Sequence, residues 1–276
     1  MKTFFQMLPK NLISHVVGIL MHLKLPDPLG FYSIRAFANF YKINVAEAEK
    51  SMQHYKSIGD YFVRKLKPEV RPIAKTDFVH PCDSVITQFA VINEGKLIQA
   101  KKRKFSIEEL LMESGTKGYY EGGLFATYYL CPLDYHRVHS PVSGIIRSVI
   151  KIPGTLWPVN FWSMRNVKNL YSINERMVVE IETKWGLIKV VFVGATNVGK
   201  ITLAFDGKMV SNDWDRECKK VRYEPGIPVK KGEELGIFHM GSTVILIVPK
   251  AVRAHLPWAV EDRFRSQKVQ VGQALI

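Results

Sequence analysis

The spacing of apolar residues changes along this chain, and the change divides it in two. In the first part Leu8, Leu12, Val16, Ile19, Leu20 and Leu23 recur at intervals of three and four, with polar and basic residues between them, which predicts an amphipathic helix. Leu25-Pro26-Asp27-Pro28 should end it, because the residue before a proline is pushed out of the helical region. A second helix is expected beyond the break, with Phe31, Ile34, Phe37 and Phe40 as apolar bulk and Arg35 and Lys42 as charge. Such a stripe can pack on the body of its own protein. It can also lie in a bilayer interface, with basic residues meeting anionic head groups.

From about residue 76 the pattern shortens to β-branched and aromatic runs broken by Gly, Pro and Asn: Ser84 to Ile92, Leu124 to Leu130, Met177 to Ile181, Val190 to Val193, Lys200 to Phe205 and Thr243 to Val248. Regular short strands predict a mostly antiparallel sheet packed as a sandwich or barrel. One helix should interrupt them from Ser106 to Glu113, with Ser106 and Glu109 spaced as a capping box. The expected class is α+β: residues 1–65 form an N-terminal helical region and residues 66–276 a β-rich catalytic domain.

Composition narrows the partners. The 276 residues carry 39 Lys and Arg against 25 Asp and Glu, a net +14, which favours an anionic partner: nucleic acid, an anionic membrane or a phosphorylated substrate. Cys82, Cys131 and Cys218 are too few and scattered for a disulfide framework, which fits a reducing compartment such as the cytoplasm. The longest early apolar run, Val16 to Met21 between two histidines, falls far short of the ~20 residues of a membrane span.

Candidate chemistry gathers in a few places. Gly232-Glu-Glu-Leu-Gly236-Ile-Phe-His-Met-Gly241-Ser242-Thr243 leads directly into an apolar strand. It can be two glycine turns and no more. A Gly-Ser bond in a tight turn can also leave its carbonyl open to the neighbouring hydroxyl, which makes Ser242 a candidate internal nucleophile. A serine needs a base, and a base needs an orienting group. Asp134-Tyr-His136-Arg-Val-His139-Ser-Pro141 offers two imidazoles, and His80-Pro-Cys82-Asp83-Ser84 offers a carboxylate.

Three other readings compete. Cys131, His136 and His139, with Cys82 or Asp83, could hold a metal, but unpaired cysteines give weak zinc spacing, so no metal is expected. Gly194-Ala-Thr-Asn-Val-Gly199-Lys200 matches most of a P-loop, yet Ile201 stands where a Ser or Thr must reach magnesium and a strand follows. The run Lys101-Lys-Arg-Lys104 lacks any accompanying nucleic-acid signature and reads as a solvated, membrane-facing loop; no nucleic-acid partner is expected.

Taken in order along nearly the whole chain, these stretches resemble the phosphatidylserine decarboxylases. The resemblance is carried by His80-Pro-Cys-Asp83-Ser84, Asp134-Tyr-His136-Arg-Val-His139-Ser-Pro141, Pro153-Gly154-Thr-Leu156 with Val159-Asn160, Asn174-Glu175-Arg176, Val193-Gly194-Ala195-Thr196 and the closing Gly-Ser-Thr. Met240 stands where the family usually has leucine, a volume-conserving change.

The resemblance implies a proenzyme that cuts itself between Gly241 and Ser242. Ser242 would attack Gly241, with His139 as base held by Asp83, giving a β chain, 1–241, and an α chain, 242–276, that stay together as a heterodimer. Ser242 would become a covalent pyruvoyl group, the cofactor that accepts electrons as carbon dioxide leaves phosphatidylserine. His136 would protonate the carbanion-like intermediate before phosphatidylethanolamine is released. Peripheral attachment to the cytoplasmic face of the cell membrane, and a dimer of proenzymes, are further expectations of the resemblance. The rivals are a soluble serine hydrolase using Asp83, His139 and Ser242 without self-cleavage, and a non-enzymatic basic binding module.

Overall fold

A computed structural model describes residues 10–100, 103–196, 200–213, 215–253 and 266–275. Helices α1 (Lys10–Met21), α2 (Leu29–Tyr41) and α3 (Ile58–Phe62) precede the first strands, β1 (Ser84–Val91), β2 (Lys96–Ala100) and β3 (Arg103–Ser106). Helices α4 (Ile107–Leu111) and α5 (Thr116–Tyr120) lead to β4 (Leu124–Leu130), β5 (Arg137–His139) and β6 (Gly144–Ile152). After α6 (Phe161–Asn166) and α7 (Leu170–Ile173) come β7 (Arg176–Thr183), β8 (Gly186–Val193), β9 (Ile201–Leu203), β10 (Lys219–Val229), β11 (Glu234–Phe238) and β12 (Ser242–Val248). Helix α8 (Lys250–Arg253) and β13 (Lys268–Val269) complete the described elements.

The chain is α+β, as its pattern predicts. Eight strands form one sheet in the order β10-β6-β7-β8-β12-β4-β1-β13, every neighbouring pair antiparallel. Among the described residues its two edge strands do not pair with each other, so the sheet they form is open rather than closed as a barrel. A three-stranded sheet, β5-β11-β9, packs on it through Phe238 and Phe192, whose ring centroids lie 5.3 Å apart.

Two local expectations change, and one strand was not expected. Ser106 occupies the N-cap position of α4, but its side chain makes no capping bond, so the predicted capping box does not form. The strand expected over Lys200 to Phe205 shortens to Ile201–Leu203. Strand β10, hidden in the sequence by Pro225 and Pro228, lies at the sheet edge with a register shift between Arg222 and Ile227, where a missing N–H costs the ladder least. Leu8 and Gly199 fall outside the described residues, as do Lys101 and Lys102.

Candidate active site

The Gly241–Ser242 junction is a short link between the two sheets. Strand β11, in the small sheet, ends at Phe238, and β12 begins at Ser242 in the middle of the large sheet, where Ser242 pairs with Leu130 and Thr243 with both Tyr129 and Val193. Gly241 is half-buried and φ at this residue is not in the left-handed region; a Cβ built on it would meet nothing within 4 Å. Neither crowding nor a left-handed backbone conformation therefore demands glycine here, and the space beside its Cα is open.

That space is a cavity of about 220 Å³. Gly241 and Met240 line it, together with Leu130, Pro158 to Asn160, Ala195, Thr196, and the aromatic rings of Phe37, Tyr41 and Phe62. Asn174, fully buried, shapes one wall: its Oδ1 accepts from Trp157 N (3.0 Å) while its Nδ2 donates to the carbonyls of Trp157 and Gly194 (2.9 Å each). Thr196 Oγ1 donates to the Leu156 carbonyl across the same seam. Gly154 is needed beneath them, since a Cβ there would fall 2.5 Å from the Ile173 carbonyl oxygen. These contacts give a structural reason for four of the short stretches singled out in the sequence.

Pairing of β5 with β11 brings the histidine segment alongside the junction. Ile237 lies opposite Arg137, and Phe238 N donates to the His136 carbonyl (3.0 Å), so His136 sits where β11 turns towards Gly241. Its Nδ1 donates to the Asp134 carbonyl (2.9 Å), the Phe62 ring packs over it with centroids 4.0 Å apart, and buried Nε2 has no partner. Burial pushes its pKa down to about 3, so this imidazole is neutral, with its unshared pair on Nε2.

His139 is placed differently. It lies opposite Glu234, four strand residues before Phe238, which at ~3.3 Å per residue is about 13 Å of strand. Its Nδ1 donates to the Gly232 carbonyl (2.8 Å), so Nε2 accepts from the Tyr135 hydroxyl (3.2 Å). Burial, only partly opposed by that bond to Gly232, lowers its pKa as well.

The expected Asp83–His139 pairing is not made. Asp83 is 5% exposed and its carboxylate is taken by Arg71, whose Nε reaches both oxygens at 3.0 Å and whose Nη2 reaches Oδ2 at 2.6 Å; Val271 N supplies a third donor at 2.9 Å. The guanidinium also binds Glu47 (2.9 Å), and its own pKa rises because two carboxylates outweigh its burial. A fork-shaped cation satisfies two oxygens at once, which a single imidazole N–H cannot. The structure thus pairs the His136 backbone with Phe238, three residues before Gly241, and Asp83 with Arg71 and the N-terminal region.

Arg71, Tyr135, Gly232 and Phe62 were not expected from the sequence. Tyr135 lies inside a stretch already singled out, but Arg71 stands twelve residues before its partner with no local motif to mark it. Arg137, between the two histidines, ties β5 to Val63 O (2.9 Å) and to Glu234 (2.8 Å). Among the described residues no three His, Cys, Asp or Glu side chains gather as a metal site. The Gly194 turn is followed by strand β9, not by the helix a P-loop requires.

A cavity that ends on a peptide bond, with a neutral imidazole behind it, suits an enzyme that acts on its own backbone. Comparison with known proteins narrows that class: the family model for phosphatidylserine decarboxylase matches residues 58–276, and the chain belongs to that family. It is 41% identical over 250 residues to a phosphatidylserine decarboxylase proenzyme of Myxococcus xanthus, covering 90% of this chain and 89% of the relative. A proenzyme of the same name from Psychrobacter cryohalolentis is 37% identical over 276 residues, covering 99% of this chain and 96% of the relative.

Proposed function

We propose that this chain is a self-processing phosphatidylserine decarboxylase proenzyme, converting phosphatidylserine to phosphatidylethanolamine and carbon dioxide. The observation that carries the reading is the junction itself: Gly241 opens on a cavity while Ser242 is already fixed in the central sheet. In the cut, Ser242 Oγ forms a bond to the Gly241 carbonyl carbon and the peptide C–N bond breaks, giving an ester. Loss of the Ser242 α-proton expels the Gly241 carboxylate, and hydrolysis of the resulting dehydroalanine releases ammonia and leaves a pyruvoyl group. Pairing of β12 with β4 and β8, and of β13 with β1, holds chain 242–276 in place once its covalent link is gone.

The residues at the junction fit such a group, because space is open in front of Gly241 and the new chain end is anchored on both sides. A pyruvoyl group supplies a ketone that condenses with the substrate amine and takes up the electron pair released with carbon dioxide. Around it His136, held by the Asp134 carbonyl and covered by Phe62, is the imidazole available to hold and return a proton. An anionic substrate beside it raises its proton affinity above that of the empty cavity. His139 is assigned to processing by family resemblance, as base with Asp83, and requires Asp83 to leave Arg71. The β5–β11 register favours a second reading, in which His136 serves both steps.

The lipid substrate also accounts for the exposed apolar face of the first helices. Leu12, Val16, Ile19 and Leu20 on α1 are 46–61% exposed, and no described helix is long and apolar enough to cross a membrane. The exposed face supports peripheral attachment through α1 and α2; the cytoplasmic face of the cell membrane is the side the family resemblance implies.

Denatured intact masses of the wild type and of Ser242→Ala, His139→Ala and His136→Ala, measured beside phosphatidylserine decarboxylation, test the assignment. Wild type should give two fragments meeting at 241/242 with a pyruvoyl mass on the smaller, and Ser242→Ala a single inactive chain. His139→Ala should stay uncut, whereas His136→Ala should be cut but inactive. An uncut His136→Ala beside a cut His139→Ala selects the second reading, and an uncut, inactive wild type sinks both.

A further inference from the structure

The α6 segment that follows one stretch of the cavity lining is exposed, aromatic and basic. Pro158, Val159 and Asn160 line the cavity, and Asn160 caps α6 by accepting from Ser163 N (2.9 Å). The next two residues, Phe161 and Trp162, turn outward and are 65% and 42% exposed. From α2, Phe37 and Tyr41 also line the cavity, and Phe40, 79% exposed, packs edge-on against Tyr41 with centroids 4.9 Å apart. Each segment therefore passes, within one residue, from cavity wall to exposed aromatic surface.

The α6 rim has its own cations and is pinned rigidly to the sheet region. Arg165 and Lys168 are exposed, as are Arg103 and Lys104 of the β2–β3 hairpin. Buried Gln99 on β2 locks the hairpin to α6: its Nε2 donates to Met164 O and Val167 O, and its Oε1 accepts from Leu170 N, all at 2.8 Å. A buried amide satisfied three times over holds the exposed aromatics and the basic hairpin in one unit. Arg103 and Lys104, the described half of that basic run, thus belong to the same unit as α6.

We propose that α6 and the β2–β3 hairpin form a second bilayer-contacting element, inserting Phe161 and Trp162 at the head-group level while Arg103, Lys104, Arg165 and Lys168 meet anionic lipid. This deepens the decarboxylase reading and rests on it: the occupant is a bilayer because the substrate's reacting head group is covalently tied to acyl chains that stay in one. Aromatic rings at a membrane surface with cations beside them are the composition that anionic interfaces bind. With α2 and the segment leading into α6 both lining the cavity, anchoring through them brings its mouth to the membrane. A lipid head group then enters the cavity without its chains crossing water.

The test uses the full processed protein, with cleavage at 241/242 and the thermal melt confirming that each variant folds. Phe161→Ser/Trp162→Ser and Arg165→Glu/Lys168→Glu are compared with wild type for sedimentation with phosphatidylcholine vesicles, with and without phosphatidylglycerol. Decarboxylation is measured on vesicular phosphatidylserine and on a short-chain phosphatidylserine kept monomeric. The aromatic variant should bind both vesicle types about tenfold more weakly and lose vesicular turnover in proportion, while turning over the monomeric substrate like wild type. The charge variant should lose affinity only for vesicles containing phosphatidylglycerol.

An aromatic variant that binds vesicles as wild type does overturns the inference while leaving the decarboxylase reading standing. Equal losses on vesicular and monomeric substrate also overturn it, since they would place the two rings in the cavity rather than in the bilayer. A wild type that turns over neither substrate sinks both readings.

Discussion

In β8 and β12, Val190 to Val193 and Val244 to Val248 are at most 3% exposed, whereas ten of the seventeen large apolar side chains exposed among the described residues lie between Leu12 and Val45. The two regions are similarly apolar and use it in opposite ways. The central strands are covered on both faces, so they read as unbroken apolar runs. The N-terminal helices bury only Ile34, Ala38, Ile43 and Tyr61 in a small cluster of their own. Leaving that much apolar surface in water is unfavourable at about 25 cal/mol per Å², and a solvent-facing helix gains nothing by it. On the proposed reading, the contrast marks the face that meets the membrane.

The sharpest way to break that contrast is to cut into the covered region. Phe192 is fully buried and stacks on Phe238 between the sheets, so Phe192→Ala should cost about 3–5 kcal/mol. The expected result is a large fall in melting temperature, with processing failing as well because the junction hangs from the same two sheets. A melt that barely moves would mean the small sheet is not part of the cooperative core.

Next comes the seam where the regions meet. Arg71 joins Glu47 to Asp83, and Arg71→Met would leave the buried Asp83 carboxylate with Val271 N as its remaining donor. Removing one partner of a buried pair costs about 3–5 kcal/mol, and the upper end applies only if no water reaches the site. Arg71→Lys should recover part of this by keeping charge without the fork. Denaturant unfolding of the Ser242→Ala precursor would measure both, and equal stability of all three proteins would show that Asp83 needs no cation.

These two sites differ in how far sequence reveals them. The strands over Leu124 to Leu130 and Thr243 to Val248 declared themselves because burial on both faces leaves only apolar residues, while β10 did not, since Pro225 is tolerated at an edge. His136, His139 and Asp83 stood out as residue types that carry chemistry. Their partners did not: the Gly232 carbonyl and the Arg71 side chain become partners only through folding, and no period or spacing encodes a contact between residues 139 and 232. The expected Asp83–His139 contact is not made in this structure for that reason, because the sequence shows an Asp and a His but not the guanidinium that competes for the carboxylate.

Acid should act on the covered region and not on the exposed one. Burial, the leading cause in each case, lowers the pKa of His80 to about 4, of His136 to about 3 and of His239 to about 4, all from 6.5. Between pH 6.5 and 4 the unfolded chain binds protons that the folded chain refuses, so stability falls as pH falls through this window. The slope is up to ~1.4 kcal/mol per pH unit for each histidine. Asp134 and Glu175, whose pKa values burial raises, offset part of this towards the acid end, where the folded state takes up protons first. Thermal melts of the Ser242→Ala precursor should therefore lose stability from pH 6.5 to 5, and a flat profile would mean these imidazoles are hydrated.

The smallest effect on stability is the most telling for the comparison. Leu12 and Ile19 are 55% and 58% exposed on α1, so a little under half of each is buried, and replacing both with serine should lower the unfolding free energy by about 1–2 kcal/mol, less than either substitution above. If α1 meets only its own protein and water in the working enzyme, that substitution should leave vesicle binding unchanged. If its face enters a bilayer, vesicle sedimentation should fall about tenfold while the melt shifts little and the cut at Gly241–Ser242 stays as it is, since each aliphatic chain carries ~1.5–3 kcal/mol of transfer free energy when fully moved into an apolar phase. Substituting these residues beside those of α6 separates two anchors from one. Independent contacts with the same membrane multiply their affinities, so the combined variant should bind more weakly than either alone. Equal binding by all three variants would leave a single anchoring site and remove one rim of the cavity from the membrane.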